Sequence, residues 1–353
     1  MTILLVRLRQ IGDVVFTTPV ITALHRHLPD ARISYLVEPA AAAVVAHHPH
    51  LHEVIVAPRG GGWRGLRDDL RLGRALRARR FEIAIDLHGG PRASLLTWLS
   101  GSRRRIGYNI PGRAWMYTDV VARARDLRPR HSVANQADLL QPLGVPPPRP
   151  DVTPVVMDEG PSARAAIAAR LRHHGAADDP LIVMHVSAGN PFRRWPLPAF
   201  ADVAATLVSA DPRRRVIVTS GPSETDAANQ VVRDAGARLG LLGTRVMAWS
   251  HDLPLDQLRA LVDRAALYIG GDSGPMHIAA TTAVPMVSLY GPTLPARSAP
   301  WRPSPERALA VEVEGLACRP CDQRACITHD YRCLALITPA AVVEAAERLL
   351  RNG

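Results

Sequence analysis

The sequence predicts an α/β chain of two Rossmann-like domains whose parallel sheets face one another across a cleft. Three observations carry that expectation. Apolar runs alternate with helical stretches in both halves, a rhythm that belongs to parallel sheets covered on both faces. A proline-dense segment, Leu143 to Pro154, separates the halves. Near each end a strand pattern passes through glycine and a carboxylate into a helical pattern, at Leu4 to Asp13 and at Leu267 to His277. In open α/β sheets ligands sit beyond the carboxyl ends of the strands, where such junctions lie.

At 353 residues and 47% hydrophobic content the chain can supply a core to each of two domains. In the first half, strands are expected at Ile3 to Val6, Arg32 to Val37, Glu53 to Ala57 and Phe81 to Leu87, with helices at Val14 to Leu28 and Leu66 to Arg79. The segment Leu143 to Pro154 can continue neither a helix nor a central strand and reads as a semi-rigid linker. It divides the chain into domains 1–150 and 151–353. Strands resume at Leu181 to Val186, Arg215 to Thr219, Ala266 to Ile269 and Met286 to Tyr290. A last amphipathic helix, Pro339 to Leu350, opens with Thr338 as cap and Pro339 in its first turn, and is expected to pack back on the first domain.

The formal charge of +11 comes from 43 basic and 32 acidic residues, and none of the basic residues is lysine. Arginine forks suit phosphate and carboxylate, so the surface favours anionic partners. Aromatics are only 5% and form no stacking platform, which argues against nucleic acid. The first apolar run is cut by Arg7 and Arg9, too early for a secretory signal, and no run reaches the ~20 apolar residues of a membrane span. A cytoplasmic protein is expected.

Four loops can carry chemistry. Gly270, Gly271 and Gly274 let backbone approach a ligand, and Pro275 starts a helix, which suits a diphosphate; the alternative is a helix start capped by Asp272 and Ser273. The loop Val186 to Pro196 sets Arg193 and Arg194 beside Ser187, within reach of a phosphate or simply as a surface turn. Glu224, after the strand Arg215 to Thr219, can accept from ribose hydroxyls or serve the helix dipole. Asp13 can act as a general base on an acceptor hydroxyl, or cap the helix that follows.

Two further patterns read as structure. Gly60, Gly62 and Gly65 match G-x-G-x-x-G with Asp86 downstream, the basis of an NAD(P)-dependent oxidoreductase reading. The match follows the third strand, Pro58 and Arg59 lengthen the turn, and Trp63 crowds it, so a flexible loop is enough. Cys318, Cys321, Cys326 and Cys333 have the proximity for a structural zinc site, with reduced packed thiols or an oxidation-sensitive pair as the alternatives.

Taken in order, Val6 to Val14, Asp86 to Gly89, Arg105 to Tyr108, Ser187 to Pro196, Gly271 to His277 and Tyr290 to Thr293 resemble the successive motifs of the glycosyltransferase family 9 heptosyltransferases. The resemblance implies a GT-B architecture, with acceptor held mainly by the first domain and ADP-heptose by the second. It places the general base at Asp13 and the ribose-binding acid at Glu224. The diphosphate turn falls at Asp272, Ser273 and Gly274, with His277 one turn on. The family's phosphate-contacting lysine falls at Arg193, which exchanges a point charge for a fork.

The implied reaction is inverting transfer without a covalent intermediate or a required cofactor, and a family 9-like enzyme with another nucleotide-sugar or acceptor is the alternative. No D-x-D pair occurs, so a dedicated metal clamp is not indicated, while a weakly held Mg²⁺ stays open. The implied acceptor is the anionic inner core of lipopolysaccharide. Arg103, Arg104 and Arg105 are expected to meet its anions, and the positive charge to hold the enzyme at the inner membrane's cytoplasmic face.

Overall fold

The computed structural model describes residues 1–58, 60, 62–123, 130–249 and 253–352. It divides into two compact units, Met1–Asp158 and Glu159–Gly353. Among the described residues the first unit holds six strands: β1 (Thr2–Val6), β2 (Arg32–Val37), β3 (Glu53–Val56), β4 (Ile83–Asp86), β5 (Arg104–Tyr108) and β6 (Asp119–Val121). All pair in parallel, in the order β3-β2-β1-β4-β5-β6. The second unit repeats the plan with β7 (Leu181–His185), β8 (Arg215–Thr219), β9 (Val246–Ala248), β10 (Leu267–Gly271), β11 (Met286–Tyr290) and β12 (Ala308–Glu312). Their order is β12-β11-β10-β7-β8-β9, again parallel throughout.

The central strands β1, β4, β7, β10 and β11 are buried along nearly their whole length, as a strand with helices on both faces must be. Their apolar runs are what the sequence displays. The strands absent from the expectation are β5, β6, β9 and β12. All four lie at or next to a sheet edge, and β6 and β9 have three residues each, too few for a period to show.

The single helix expected over Val14 to Leu28 is two, Ile11–Val15 and Thr18–His27. Pro19 sits in the first turn of the second, where its missing N–H costs nothing. Thr17 Oγ1 and Thr18 Oγ1 donate to the carbonyls of Val14 and Val15, at 2.6 and 2.8 Å, and close the break.

The proline-dense segment is not a linker between the units. Arg26 Nη1 donates to Val152 O at 3.1 Å, Val156 N donates to Thr18 Oγ1 at 2.8 Å, and Val155 and Met157 are buried. These contacts bind it to the first unit and move the boundary from residue 150 to 158. The terminal helix Pro339–Arg351 also differs from expectation: Val342, Ala346 and Leu349 join the core around β10 and β11, so its apolar face is buried in its own unit.

Tyr117 closes the first unit's core. Its hydroxyl donates to Asp86 Oδ2 at 2.6 Å, and its ring lies against Gly107, where an added Cβ would come within 2.3 Å of the ring. The ring is tethered and cannot give way. Gly107→Ala should therefore destabilise the first unit by about 1–3 kcal/mol, seen as an earlier urea transition, and an unshifted transition would contradict this packing.

Candidate functional site

In a parallel sheet a crevice opens where the strand order reverses, because the loops leaving two neighbouring strands go to opposite faces. The first sheet reverses between β1 and β4, and the second between β7 and β10. The polar residues of each unit collect at these points.

In the first unit, β1 leads into Arg7 to Gln10. Gln10 has φ 69, a left-handed conformation that costs a non-glycine residue about 1–3 kcal/mol, and it turns the chain into the helix Ile11–Val15. Gln10 is the residue at the helix start, so Asp13 does not cap it. Instead the Asp13 carboxylate pairs with Arg7 Nη2, while Arg7 Nη1 donates to Leu87 O at 2.8 Å. Leu87 lies on the loop after β4. Buried Asp86 braces that loop by accepting from His88 N and Gly89 N at 2.9 and 2.8 Å, and it also accepts from Ser94 Oγ and Tyr117 Oη. Burial pushes the Asp86 carboxyl up. Asp86 is thus spent inside the fold, which removes the ribose-binding role that the G-x-G-x-x-G match requires; Arg59 before that match and Gly61 within it lie outside the described residues.

His88 joins Asp13 at this crevice. Burial, with Arg7, Arg9 and Arg123 nearby and Asp13 opposing, holds its imidazole down at about 4, so the ring is neutral near pH 7. Among the described residues the crevice therefore combines the Asp13 carboxylate, a neutral imidazole and several guanidiniums, a set suited to an anionic ligand bearing a hydroxyl.

Arg104 and Arg105 are not part of it. They open β5 and so lie at the amino edge of the sheet, opposite the edge that carries Asp13. Arg104 Nη2 donates to Asp119 Oδ1 and Pro142 O, and Arg105 donates to Met116 O and Ser102 O. Arg103, exposed, precedes them at that edge. Arg104 and Arg105 thus tie β5 to its neighbours.

The second unit brings the remaining expected residues together on three adjacent strand ends. Arg193, after β7, donates through Nη1 to Asp272 O at 3.1 Å and lies 3.3 Å from Asp272 Oδ2. Arg194 donates to Ala188 O and pairs with Glu224 Oε1 at 2.8 Å, which joins the β7 and β8 loops. Ser187 Oγ accepts from Gly221 N at 2.7 Å and lies 3.1 Å from His185 Nε2, whose Nδ1 is 3.0 Å from Thr219 Oγ1. Burial holds His185 down at about 4, so it acts as a neutral strut at the ends of β7 and β8.

Asp272 is the centre of this set. Burial raises its carboxyl, but His277 Nε2 at 3.4 Å from Oδ1, Arg193, and Thr293 Oγ1 at 2.5 Å from Oδ2 outweigh burial and hold it at about 2. Ser273 begins the helix Gly274–Ala279 without a side-chain cap bond, and among the described residues its Oγ is buried without a partner. An added Cβ on Gly271 would come within 3.2 Å of Arg193 O, so glycine there permits the close approach of the two loops. A fixed guanidinium, an unpartnered hydroxyl and a nearby carboxylate on Glu224 form a site for a phosphorylated, hydroxyl-rich ligand.

The cysteine loop enters this site by another route. Gln323 Oε1 accepts from Arg193 Nε at 2.8 Å and from Asn190 Nδ2 at 2.9 Å. Cys318, Cys321, Cys326 and Cys333 are free thiols that wall a pocket with Phe192 and Tyr331. Among the described residues no three His, Cys, Asp or Glu side chains converge as metal ligands, which corrects the zinc expectation. His88, Arg7, His185, Thr293 and Gln323 were not singled out from sequence as single residues. A polar residue closing an apolar strand run was the available signal for His185.

The family model described as glycosyltransferase family 9 (heptosyltransferase) matches residues 69–332, well over half of the chain. The chain belongs to glycosyltransferase family 9. It is similar to lipopolysaccharide heptosyltransferase 3 of Escherichia coli, 27% identical over 351 residues that cover 97% of each chain. Lipopolysaccharide heptosyltransferase 2 of Escherichia coli is 25% identical over 312 residues, 84% of each chain. Among solved structures, the family 9 glycosyl transferase from Veillonella parvula matches with a TM-score of 0.84 at 25% identity, covering 100% of this chain and 98% of that one. The Escherichia coli ADP-heptose lipopolysaccharide heptosyltransferase II matches with a TM-score of 0.82 at 20% identity, over 100% and 99%, and shares the fold. This family 9 enzyme is a glycosyltransferase, and its two parallel α/β units are those of the GT-B fold.

The Asp272 carboxyl sits below the ordinary value of 3.8, so its pairing contributes stability that is fully present above about pH 4 and lost as pH falls through about 2. The contribution is about 2 kcal/mol. The stability gap between wild type and Asp272→Asn, read from urea midpoints, should narrow across that window; a gap constant with pH would refute the assignment.

Proposed function

We propose that this enzyme transfers a heptose from ADP-heptose to a sugar of the lipopolysaccharide inner core, in one inverting displacement. The observation that carries the reading is the placement of Asp13 at the reversal point of the first sheet, and of Arg193 and Asp272 at that of the second with Glu224 on the adjoining β8 loop. The family relatives supply the substrate class, because those similar over most of the chain are named as lipopolysaccharide heptosyltransferases.

In this reading Arg7 grips Oδ2 of Asp13 and leaves Oδ1 to take the proton of the acceptor hydroxyl as that oxygen attacks the anomeric carbon. The ADP leaves from the opposite face of the sugar. Negative charge grows on the diphosphate as the bond breaks, so donors aimed there act chiefly in the transition state. Arg193 is pre-set for this by Asp272 and Gln323, and Ser273 and Gly274 offer a hydroxyl and backbone beside it. Glu224 receives the ribose hydroxyls, with Arg194 fixing its orientation. His277 steadies Asp272 rather than touching the donor, and Ser187 holds the β7 and β8 loops together.

The guanidiniums around His88 meet the carboxylates and phosphates of the acceptor, the role first expected of Arg103 to Arg105. The acceptor is lipid-anchored. No described helix is long and apolar enough to cross a membrane, and we place the enzyme in the cytoplasm, peripheral to the inner membrane.

Asp13→Asn should leave ADP affinity within twofold of wild type while turnover falls about 10²–10⁴-fold. Calorimetry with ADP and mass spectrometry of the product from ADP-heptose and truncated acceptors check both halves. Normal turnover would end the base assignment, and tighter binding of UDP than ADP would end the donor assignment.

A further inference from the structure

We propose that the solvent face of the helix Gly62–Ala78 docks on an anionic phospholipid bilayer. The proposal deepens the reading of a lipid-anchored acceptor, and names the surface by which the enzyme meets the membrane. Three large apolar side chains stand out on this helix: Trp63 at 85% exposure, Leu66 at 44% and Leu70 at 41%. Spacings of three and four residues place them in one stripe on one side of the helix. Arg64, Arg67, Arg71, Arg74 and Arg77 are exposed beside and beyond the stripe, against two carboxylates, Asp68 and Asp69.

The neighbouring face, and the continuation of the stripe toward the helix C-terminus, are already engaged. Leu76 is buried, an added Cβ on Gly73 would come within 2.8 Å of Leu99, and Asp69 pairs with Arg92 at 2.7 Å. The exposed stripe is therefore surplus to the core and is carried on a helix fastened to its unit. A tryptophan and leucines lined by arginines match the headgroup boundary of a bilayer, where apolar side chains enter the acyl region and guanidiniums meet phosphate. An interface with another protein favours aromatics but lacks this dense rim of one charge sign.

Position supports the same occupant. The helix follows β3, so Trp63 at its start lies at the carboxyl edge of the first sheet, the edge from which Asp13 also projects. A bilayer against this helix presents the sugar of a lipid-anchored acceptor on the side where the base is held.

The test uses the full chain and vesicles of phosphatidylcholine alone or mixed with phosphatidylglycerol. Wild type should sediment with the mixed vesicles only, and brominated lipids should quench its tryptophan emission. The triple variant Trp63→Ser, Leu66→Ser, Leu70→Ser and the variant Arg67→Gln, Arg71→Gln, Arg74→Gln should each lower partitioning at least about tenfold. Both should keep wild-type ADP affinity and transfer to a delipidated acceptor, while transfer to vesicle-embedded acceptor falls. Variants that sediment like wild type would overturn the proposal, as would a wild type that ignores the mixed vesicles. So would a stripe whose loss abolishes self-association in ultracentrifugation instead. Absence of heptose transfer with vesicle binding intact would count against the proposed reaction and leave the docking surface standing.

Discussion

Parallel strands all deliver the chain to the same edge of a sheet, and where their order reverses the departing loops separate and leave backbone and side chains facing open space. Both units of this enzyme obey that constraint. The loops after β1 and β4 hold Asp13, Arg7 and His88, and those after β7, β8 and β10 hold Arg193, Glu224 and Asp272. Neither set is assembled by proximity in sequence. Each exists because buried apolar strands stack side by side and bring their polar ends level.

Electrostatics then fixes the polar ends. The chain has no lysine, so each cation that orders the crevices is a planar fork able to serve two partners at once. Arg7 spans Asp13 and Leu87 O, and Arg193 spans Asp272 and Gln323. Buried carboxylates hold the other ends of these networks. Asp86 stays inside by accepting from two backbone amides and two hydroxyls, whereas Asp272 is kept ionised by the cations around it. The same residue type is a structural brace in one unit and a polar anchor in the other, according to what surrounds it.

Much of the fold was legible because central strands of a parallel sheet are buried on both faces and appear as uninterrupted apolar runs. Strands at or next to a sheet edge are less clearly marked: β5 starts with two arginines, and β6 and β9 are too short to show a pattern. The loops that carry Asp13, Arg193, Glu224 and Asp272 were visible because glycines and carboxylates follow strand patterns. Arg103 to Arg105 illustrate the limit of such a reading, since a charge cluster does not reveal at which edge of the sheet it lies. The cysteine spacing misled, because four thiols near in sequence wrapped around Phe192 and Tyr331 rather than converging on one point.

By itself the sequence determined the parallel α/β class, the central strands and the loops that bear the polar residues, since these depend on the period of burial and on residues adjacent in the chain. Only the tertiary structure decided that the proline-dense segment belongs to the first unit, that the terminal helix stays on its own sheet and that Gln323 steadies Arg193 from 130 positions away. Hydrogen bonds and ion pairs between distant residues have no local signature. They form where packing brings the groups together.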